Sequence, residues 1–298
     1  MHAAPRFNVL LIMLLGVLPL VAQATSTPRP TPQAASEPTL ADSGSAHYRF
    51  ERLHVGSTDG KRRYRLDLAI PRRAPPAAGY PVVYLLDGNN VMAELRDDWL
   101  AELDAGNPPL LVMVGYDIEG RYDMDLRTRD YTGVGSADFL KTLITQIKPL
   151  VEKQQAIDRQ QQMLWGHSFG GLFVLYALFE QPQAFQTWFA ASPSLWYQPE
   201  TYAKGMGFTG IAQGSKRRVM IMRGSKEGSP PVKSFDGGSL ERRKAMAAVP
   251  VDANRQVAAH LATQPGLTAN YQEFEGLAHG DMFNAALYPA LRMAAGLK

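Results

Sequence analysis

One hexapeptide, Gly166-His167-Ser168-Phe169-Gly170-Gly171, constrains the fold of this chain more than any other feature. The short apolar run 162–165 precedes it and the longer run 172–179 follows, which predicts a strand, a sharp turn and a buried helix. That context is typical of a G-x-S-x-G nucleophile elbow, whose central serine has a strained backbone. We therefore expect Gly166 and Gly170 to remove bulk beside Ser168, and Gly171 to let the helix approach the sheet. The alternative is a glycine-rich turn holding an ordinary serine.

The composition excludes several kinds of chemistry. The 298 residues include no cysteine, so a thiol nucleophile, a disulfide framework and a cysteine zinc site are all excluded. The formal net charge of +3 is too small to argue for a nucleic-acid partner. The 45% of hydrophobic residues is ample for a substantial core.

The N-terminus has the pattern of a signal peptide. Arg6 precedes the apolar stretch 9–21, and Ala22-Gln23-Ala24 has the small-x-small pattern of a cleavage site. We predict a signal peptide over residues 1–24, a mature chain that starts near Thr25, and a periplasmic location. No cysteine follows the cleavage site, so no lipoprotein anchor and no stable membrane attachment are expected after cleavage. The alternative is an uncleaved membrane anchor.

The rest of the chain is expected to form one domain. Residues 25–45 are rich in Pro, Ala, Ser and Thr, which predicts a disordered leader, and residues 46–298 are predicted to be one catalytic domain. Alternating runs at 48–55 and 64–70 predict an antiparallel hairpin. Later strands and helices alternate, which predicts an α/β fold with a mostly parallel sheet, an antiparallel N-terminal edge and helices on both faces. The further strands are expected at 81–86, 110–115, 162–165, 188–191, 218–222 and 267–274, and the helices at about 90–100, 139–151, 172–179, 240–246, 255–261 and 282–295.

A base is needed to take the proton of a serine nucleophile. Of the six histidines, His279 alone lies in a loop directly after the last predicted strand. In a sheet of this kind that loop lies beside the nucleophile, and the order serine before histidine fits. His167 is expected to point away from its neighbour along the elbow strand. The sequence therefore predicts His279 as the base, and the alternative is a solvated loop histidine.

The acid partner should follow the strand before the last one. Glu227 is the nearest carboxylate after the predicted strand 218–222, and Asp236 and Glu241 are its rivals in the same excursion. A carboxylate there would fix the tautomer of His279 and stabilise the imidazolium. The alternative is that Glu227 only pairs with Lys226 or with solvent.

Two backbone N–H groups are candidates for an oxyanion hole. One is the N–H of Phe169, immediately after the nucleophile, and the other should come from the loop after the strand 81–86. Within that loop, Asp87-Gly88-Asn89, we choose the N–H of Asn89. The alternative is a plain strand-to-helix turn that uses Gly88.

Charged and aromatic side chains follow two other strands, where ligands bind in open α/β sheets. The candidates for substrate binding are Arg121, Arg127, Arg129 and Trp196. Arginine and tryptophan together suit an anionic, aromatic substrate through paired charges and stacking. The alternative is a loop held together by Arg–Asp pairs, since Asp123, Asp125 and Asp130 are interleaved with the arginines.

Five motifs in order resemble the putative-esterase family of α/β-hydrolases. The motifs are Leu86-Asp87-Gly88-Asn89, Arg127-Thr128-Arg129-Asp130-Tyr131-Thr132, the hexapeptide around Ser168, Ser192-Pro193-Ser194-Leu195-Trp196 and Ala278-His279-Gly280. The nearest members that it resembles are periplasmic siderophore trilactone esterases acting on enterobactin and salmochelin. This resemblance implies ester hydrolysis of a catecholate trilactone, free or ferric, by Ser168 and His279, with no cofactor and no bound metal.

Other functions are compatible with the same motifs. The wider family includes S-formylglutathione hydrolases and feruloyl or acetyl esterases, and secreted mycolyltransferases share the fold, so another ester or acyl transfer to an acceptor other than water is possible. A non-enzymatic siderophore-binding protein is disfavoured, because a binder has no need of Ser168, His279 and both oxyanion loops.

Overall fold

The structure, a computed structural model, describes residues 1–2, 38–212, 214–228 and 239–297. Residues 3–24 of the predicted signal peptide and most of the predicted leader lie outside the described residues, and everything below concerns the unit Ala35–Lys298. The end of the predicted leader contains a short helix. Helix α1 spans Leu40–Ser43, because the Asp42 carboxylate accepts hydrogen bonds from the N–H and the hydroxyl of Thr39 at 2.8 and 2.9 Å.

In the described residues, eight strands form one sheet in the order β1-β2-β4-β3-β5-β6-β7-β8. Two pairs are antiparallel, β1 with β2 and β2 with β4. The other five pairs are parallel: β4-β3, β3-β5, β5-β6, β6-β7 and β7-β8. This arrangement confirms the predicted parallel sheet with an antiparallel N-terminal edge. The strands are β1 (Tyr48–Gly56), β2 (Arg63–Pro71), β3 (Tyr80–Leu85), β4 (Leu110–Tyr116), β5 (Ile157–His167), β6 (Thr187–Ala191), β7 (Arg217–Gly224) and β8 (Leu267–Phe274).

Helices cover both faces of the sheet, because the central strands β3, β4 and β6 are apolar and buried along their whole length. Helices α2, α3 and α11 pack on one face, and α4 to α8 with α10 pack on the other. The helices are α2 (Gly88–Glu94), α3 (Asp97–Ala105), α4 (Met124–Tyr131), α5 (Gly135–Thr142), α6 (Lys148–Gln154), α7 (Phe169–Glu180), α8 (Pro199–Met206), α9 (Leu240–Ala248), α10 (Ala253–Ala262) and α11 (Met282–Ala294).

Several segments differ from the prediction, among them α8, where no helix was predicted. The helix expected over 90–100 is two helices, because Leu95 is extended and ends α2. The polar stretch 116–135 contains α4, which Asp123 caps by accepting the N–H of Leu126 at 2.9 Å. A π-helical turn, Leu143–Ile147, separates α5 from α6 just before Pro149, which has no N–H to continue the α-helical ladder. Among the described residues, no helix has the length and apolar character to cross a membrane.

Candidate active site

The turn between β5 and α7 holds Ser168 in a backbone conformation that is rare for serine, with φ 61° and ψ −116°. A Cβ added at Gly166 would lie 2.5 Å from the carbonyl of Gly170, and one added at Gly171 would lie 2.6 Å from the carbonyl oxygen of Ala191. These two glycines are therefore needed, as predicted. The expectation for Gly170 is wrong, since its nearest neighbour would be 3.5 Å away, an ordinary contact.

Ser168, His279 and Glu227 form one hydrogen-bonded line at the carboxyl ends of the parallel strands. The Ser168 Oγ lies 2.9 Å from Nε2 of His279, and Nδ1 of His279 lies 2.9 Å from Oε2 of Glu227. With the Nδ1 proton donated to the carboxylate, the Nε2 lone pair faces the serine hydroxyl. The structure thus brings together the three residues that the sequence predicts.

Glu227 is held as a carboxylate by several donors. Its Oε1 accepts the hydroxyl of Ser192 at 2.6 Å and the N–H of Gly224 at 2.7 Å. Burial alone would raise the pKa of Glu227, but the hydrogen bonds from His279, Ser192 and Gly224 bring it below its usual value. Of its two rivals, Glu241 is exposed on α9, and Asp236 lies outside the described residues.

Ser192 is a residue that sequence reasoning missed. It follows β6 directly, is buried, and has a left-handed backbone with φ 44°. This conformation directs its hydroxyl to Glu227, so Ser192 links the strand next to the elbow to the acid. The only signal for it is its place in the Ser192-Pro193-Ser194 motif, after a predicted strand.

The sequence analysis expected His167 to point away from the site, and this expectation is wrong. Its Nε2–H donates to the carbonyl oxygen of His279 at 2.9 Å, and its ring lies 4.9 Å from the ring of His279 and 5.6 Å from that of Phe283. Burial, assisted by the nearby His279, lowers the pKa of His167 to about 3, so its ring is neutral at physiological pH. His167 therefore anchors the loop that carries the base.

The two predicted oxyanion donors lie in the first turns of α7 and α2, on opposite faces of the sheet. Phe169 is the first residue of α7 and lines the cleft in front of Ser168. Asn89 lies in the first turn of α2, where its Oδ1 accepts the N–H of Tyr116 at 2.9 Å and its Nδ2 donates to the carbonyl of Gly120 at 3.1 Å. The side chain of Asn89 thus fastens the loop after β4, and the oxyanion role of both N–H groups stays a prediction.

A cleft of about 390 Å³ opens over the serine. Its lining is largely apolar and includes Trp196, Leu195, Val249 and Val251. The hydroxyl of Ser194 also lies in this lining, 3.4 Å from that of Ser168. Within the described ranges, no three His, Asp or Glu side chains group together so that they could hold a metal ion.

Of the three arginines predicted to bind substrate, only Arg127 lies in the described lining of the cleft. Arg127 lines the cleft, but its guanidinium is buried and forms two hydrogen bonds to Asp87. Burial raises the pKa of the Asp87 carboxyl, and the Arg127 guanidinium opposes that rise. Arg121 instead reaches Glu94 and the Oδ1 of Asn90, outside the cleft lining.

Arg129 also lies outside the described lining of the cleft. It is exposed and follows Arg127 by two residues, about 200° around the helix, so the two side chains leave opposite faces of α4. The second arginine in the described lining of the cleft is Arg223, which donates to the backbone carbonyl of Glu227. Arg223 was missed because it lies just beyond the predicted end of its strand.

The line of Ser168, His279 and Glu227 has the geometry that acyl transfer requires. His279 accepts the Ser168 proton as Oγ attacks an ester carbonyl, the leaving alcohol takes that proton, and water then hydrolyses the acyl-enzyme. A strained serine between a parallel strand and a helix, in line with a histidine and a carboxylate, defines a serine hydrolase of the α/β-hydrolase fold. The chain belongs to the family described as Putative esterase, whose model matches residues 57–294.

Relatives and solved structures agree with this assignment. The chain is 35% identical over 272 residues to an apo-salmochelin esterase of Escherichia coli O6:H1, covering 85% of this chain and 81% of the relative. It is 28% identical to the ferri-bacillibactin esterase BesA of Bacillus subtilis, over 80% of this chain and 87% of that protein. The solved enterobactin and salmochelin hydrolase IroE superposes with a TM-score of 0.67 at 34% identity, over 86% of this chain and 99% of that structure. The protein is therefore an esterase that uses a serine nucleophile.

Proposed function

We propose that this esterase hydrolyses the ester bonds of a catecholate siderophore trilactone of the enterobactin type. The observation that carries the proposal is the Ser168–His279–Glu227 line at the floor of an apolar cleft whose wall includes Trp196. A catecholate arm offers a flat aromatic ring to that wall while the ester carbonyl reaches Ser168. The names of the relatives, which are esterases of salmochelin and bacillibactin, support the same substrate class.

The free trilactone is the better substrate in this proposal. A ferric tri-catecholate carries several negative charges and needs cations that are available to it. Both arginines in the described lining already contact glutamate or aspartate, Arg127 through Asp87 and Arg223 through Glu227. An uncharged, iron-free ligand therefore suits the largely apolar lining better than the ferric complex does.

The test is chromatography of an enterobactin-type trilactone, free and iron-loaded, after incubation with the purified protein. We expect ring-opened products from both forms, faster from the free form, and none with the Ser168→Ala protein. Hydrolysis of a nitrophenyl ester without any trilactone product would move the substrate to another acyl ester. Ester products that appear only with an added alcohol would instead indicate acyl transfer.

The proposal places this reaction in the periplasm. Its support is the sequence pattern of Arg6, the apolar stretch 9–21 and the cleavage pattern that ends at Ala24. Fractionation of cells that express the full chain, followed by N-terminal sequencing, should find a mature protein that starts near Thr25. An Ala24→Arg variant should block cleavage, and full-length wild-type protein in the cytoplasm would contradict the proposal.

A further inference from the structure

One wall of the active-site cleft carries a polar side chain whose oxygen has no hydrogen-bond partner. Asn254, in the first turn of α10, lines the cleft together with Val249, Val251 and Ala253. The residue is only 7% exposed, and within the described part of the chain its buried Oδ1 accepts no hydrogen bond. A buried amide oxygen without a donor costs free energy, so its presence in an apolar wall calls for an explanation.

The amide of Asn254 does not stabilise the helix that carries it. Asparagine is a weak helix former, and it is favoured at the position before a helix, where its side chain caps free N–H groups. In α10 that position belongs to Asp252, and Asn254 is the second residue inside the helix. The next amide side chain on α10, Gln256, does bind within the domain, since it accepts the hydroxyl of Tyr202 at 2.6 Å and donates to Asp252 at 2.9 Å. Gln256 therefore has a structural role, and Asn254 faces the cleft.

We propose that Asn254 determines specificity by hydrogen-bonding an amide in the acyl part of the substrate, beside the ester carbonyl. An asparagine side chain offers an acceptor and two donors, and a half-turn about its last torsion exchanges Oδ1 and Nδ2 without changing its shape. Asn254 can therefore pair with the N–H or with the carbonyl of a substrate amide. The inference rests on the proposed function, in which the bound group is the amide that joins a catecholate arm to the lactone ring.

The charges around the cleft favour a neutral partner for Asn254. Both arginines in the described lining already contact carboxylates, Arg127 at Asp87 and Arg223 at Glu227. A carboxylate on the substrate would add a negative charge beside Glu227, whereas an amide adds none. Because α10 begins at this wall, the positive end of its dipole also favours an oxygen with a partial negative charge, such as an amide carbonyl. A few polar groups in a mostly apolar site typically fix the orientation of a ligand in this way.

The test compares two nitrophenyl esters of equal length, N-benzoylglycine ester and phenylbutanoate ester, in which two methylene groups replace the amide. The wild type should favour the benzoylglycine ester. Asn254→Leu keeps the branched shape and removes the amide, so it should lower the ratio of the two kcat/KM values by about 5- to 50-fold. Comparing this ratio between enzymes cancels the intrinsic reactivity of the esters. The kcat/KM for the phenylbutanoate ester should stay within about threefold, because Ser168 and His279 are intact.

The melting temperature separates a substrate role from a structural one. Asn254→Leu should keep or raise it, because an apolar side chain replaces an amide oxygen that has no partner in the fold. Gln256→Met is the matched control, since it also exchanges an amide for an apolar side chain on α10. It should lower the melting temperature, because the Tyr202 hydroxyl loses its acceptor, and should keep the ester ratio within about twofold of wild type. If Asn254→Leu does not fold, Asn254→Ala provides the same ratio test with a smaller side chain.

Four results would overturn the proposal. They are an ester ratio within twofold of wild type in the Asn254 variant, an equal change of the ratio in Gln256→Met, a wild type that hydrolyses the phenylbutanoate ester as fast as the benzoylglycine ester, and a loss that appears only when the benzoyl ring carries catechol hydroxyls. The last result would assign Asn254 to the catechol.

Failure of this inference is distinguishable from failure of the proposed function, because neither test ester contains a trilactone or a catechol. A changed ester ratio without any trilactone hydrolysis would remove the siderophore and leave an esterase of other acylamino esters. Trilactone hydrolysis with an unchanged ratio would remove only the role of Asn254.

Discussion

Ser168 and His279 act on the same proton, so removing either side chain should remove the same step. We expect Ser168→Ala and His279→Ala each to lower ester turnover by several orders of magnitude, because such residues act as one unit. Binding of the trilactone should survive in Ser168→Ala, since that variant loses only one oxygen atom from the cleft. Calorimetric titration and turnover of a nitrophenyl ester measure the two effects separately, and near-normal hydrolysis by either variant would contradict the mechanism.

Glu227 supports the reaction through His279 without contacting the substrate carbonyl. Glu227→Gln keeps the shape of the side chain but removes the charge that stabilises the imidazolium, so a loss on the order of 10²- to 10⁴-fold in kcat is expected. Glu241→Gln is the matched control, because Glu241 is an exposed glutamate of the same excursion. A silent Glu227→Gln together with a severe loss in Asp236→Asn would reassign the acid.

At the scale of residues, the sequence predicts those whose neighbours along the chain have a distinctive pattern. Ser168 lies in a glycine-rich turn, and His279 follows a strand directly, so both could be found. Ser192 and His167 act through hydrogen bonds to Glu227 and to the carbonyl of His279, far away in sequence. No local pattern encodes such contacts, which appear only when the strands are placed side by side.

The elbow that joins β5 to α7 needs a glycine at position 166 but not at position 170. Gly166→Ala places a methyl group 2.5 Å from the Gly170 carbonyl, whereas Gly170→Ala meets nothing closer than 3.5 Å. We expect Gly166→Ala to cost about 1–3 kcal/mol in the free energy of unfolding, as overpacking does, and to lower kcat as the turn shifts. Gly170→Ala lies within α7 and should be neutral or slightly stabilising, since alanine favours helix.

Urea denaturation and nitrophenyl ester turnover of the two alanine variants check this expectation. The two substitutions add the same methyl group four residues apart, so each controls for the other. Equal effects of both would show that the contact at Gly166 does not set the shape of the turn.

At the scale of elements, apolar periodicity predicts the strands and the long helices well. It fails where one residue with an extended backbone ends a helix inside an apolar pattern, and where a short polar helix forms. Leu95 divides one expected helix into α2 and α3 although it is itself apolar and buried. Helix α4 is mostly polar, and it forms because the Asp123 cap stabilises its first turn. Two buried ion pairs, Arg127 with Asp87 and Asp130 with Arg62, also hold it in place. Those partners are distant in sequence, so periodicity cannot show them.

At the scale of the whole molecule, the fold brings residues from four chain segments to the carboxyl ends of the parallel strands. Strands β5, β6 and β7 are parallel neighbours, and β8 adds the next strand along. Their carboxyl ends carry Ser168, Ser192, Glu227 and His279 in that order. The sequence predicted this convergence because alternating strands and helices produce parallel pairing. The order of β3 and β4 could not be predicted in the same way. Strand β4, although it comes after β3 in the chain, lies between β3 and strand β2 of the N-terminal hairpin.

Acid should destabilise the fold through His167, which is buried and neutral. Its pKa is about 3 in the folded protein, against 6.5 as its ordinary value. Between these values the unfolded chain binds more protons, so the free energy of unfolding falls as pH falls from 6.5 toward 3, by up to about 1.4 kcal/mol per pH unit. Glu227 has a lowered pKa and removes stability only as pH falls below its ordinary value of 4.5, so it does not contribute to a fall between pH 7 and pH 5, and comparison with a His167 variant isolates the contribution of His167.

His167→Gln keeps a donor for the His279 carbonyl but has no group that titrates. Its free energy of unfolding should therefore fall less steeply than that of the wild type between pH 7 and pH 5. His167→Phe keeps the ring and loses the donor, so it should show the same shallow slope together with a lower kcat, because the base loop loses its anchor. Urea denaturation at several pH values measures the slopes, and a variant slope equal to that of the wild type would show that His167 does not govern acid sensitivity.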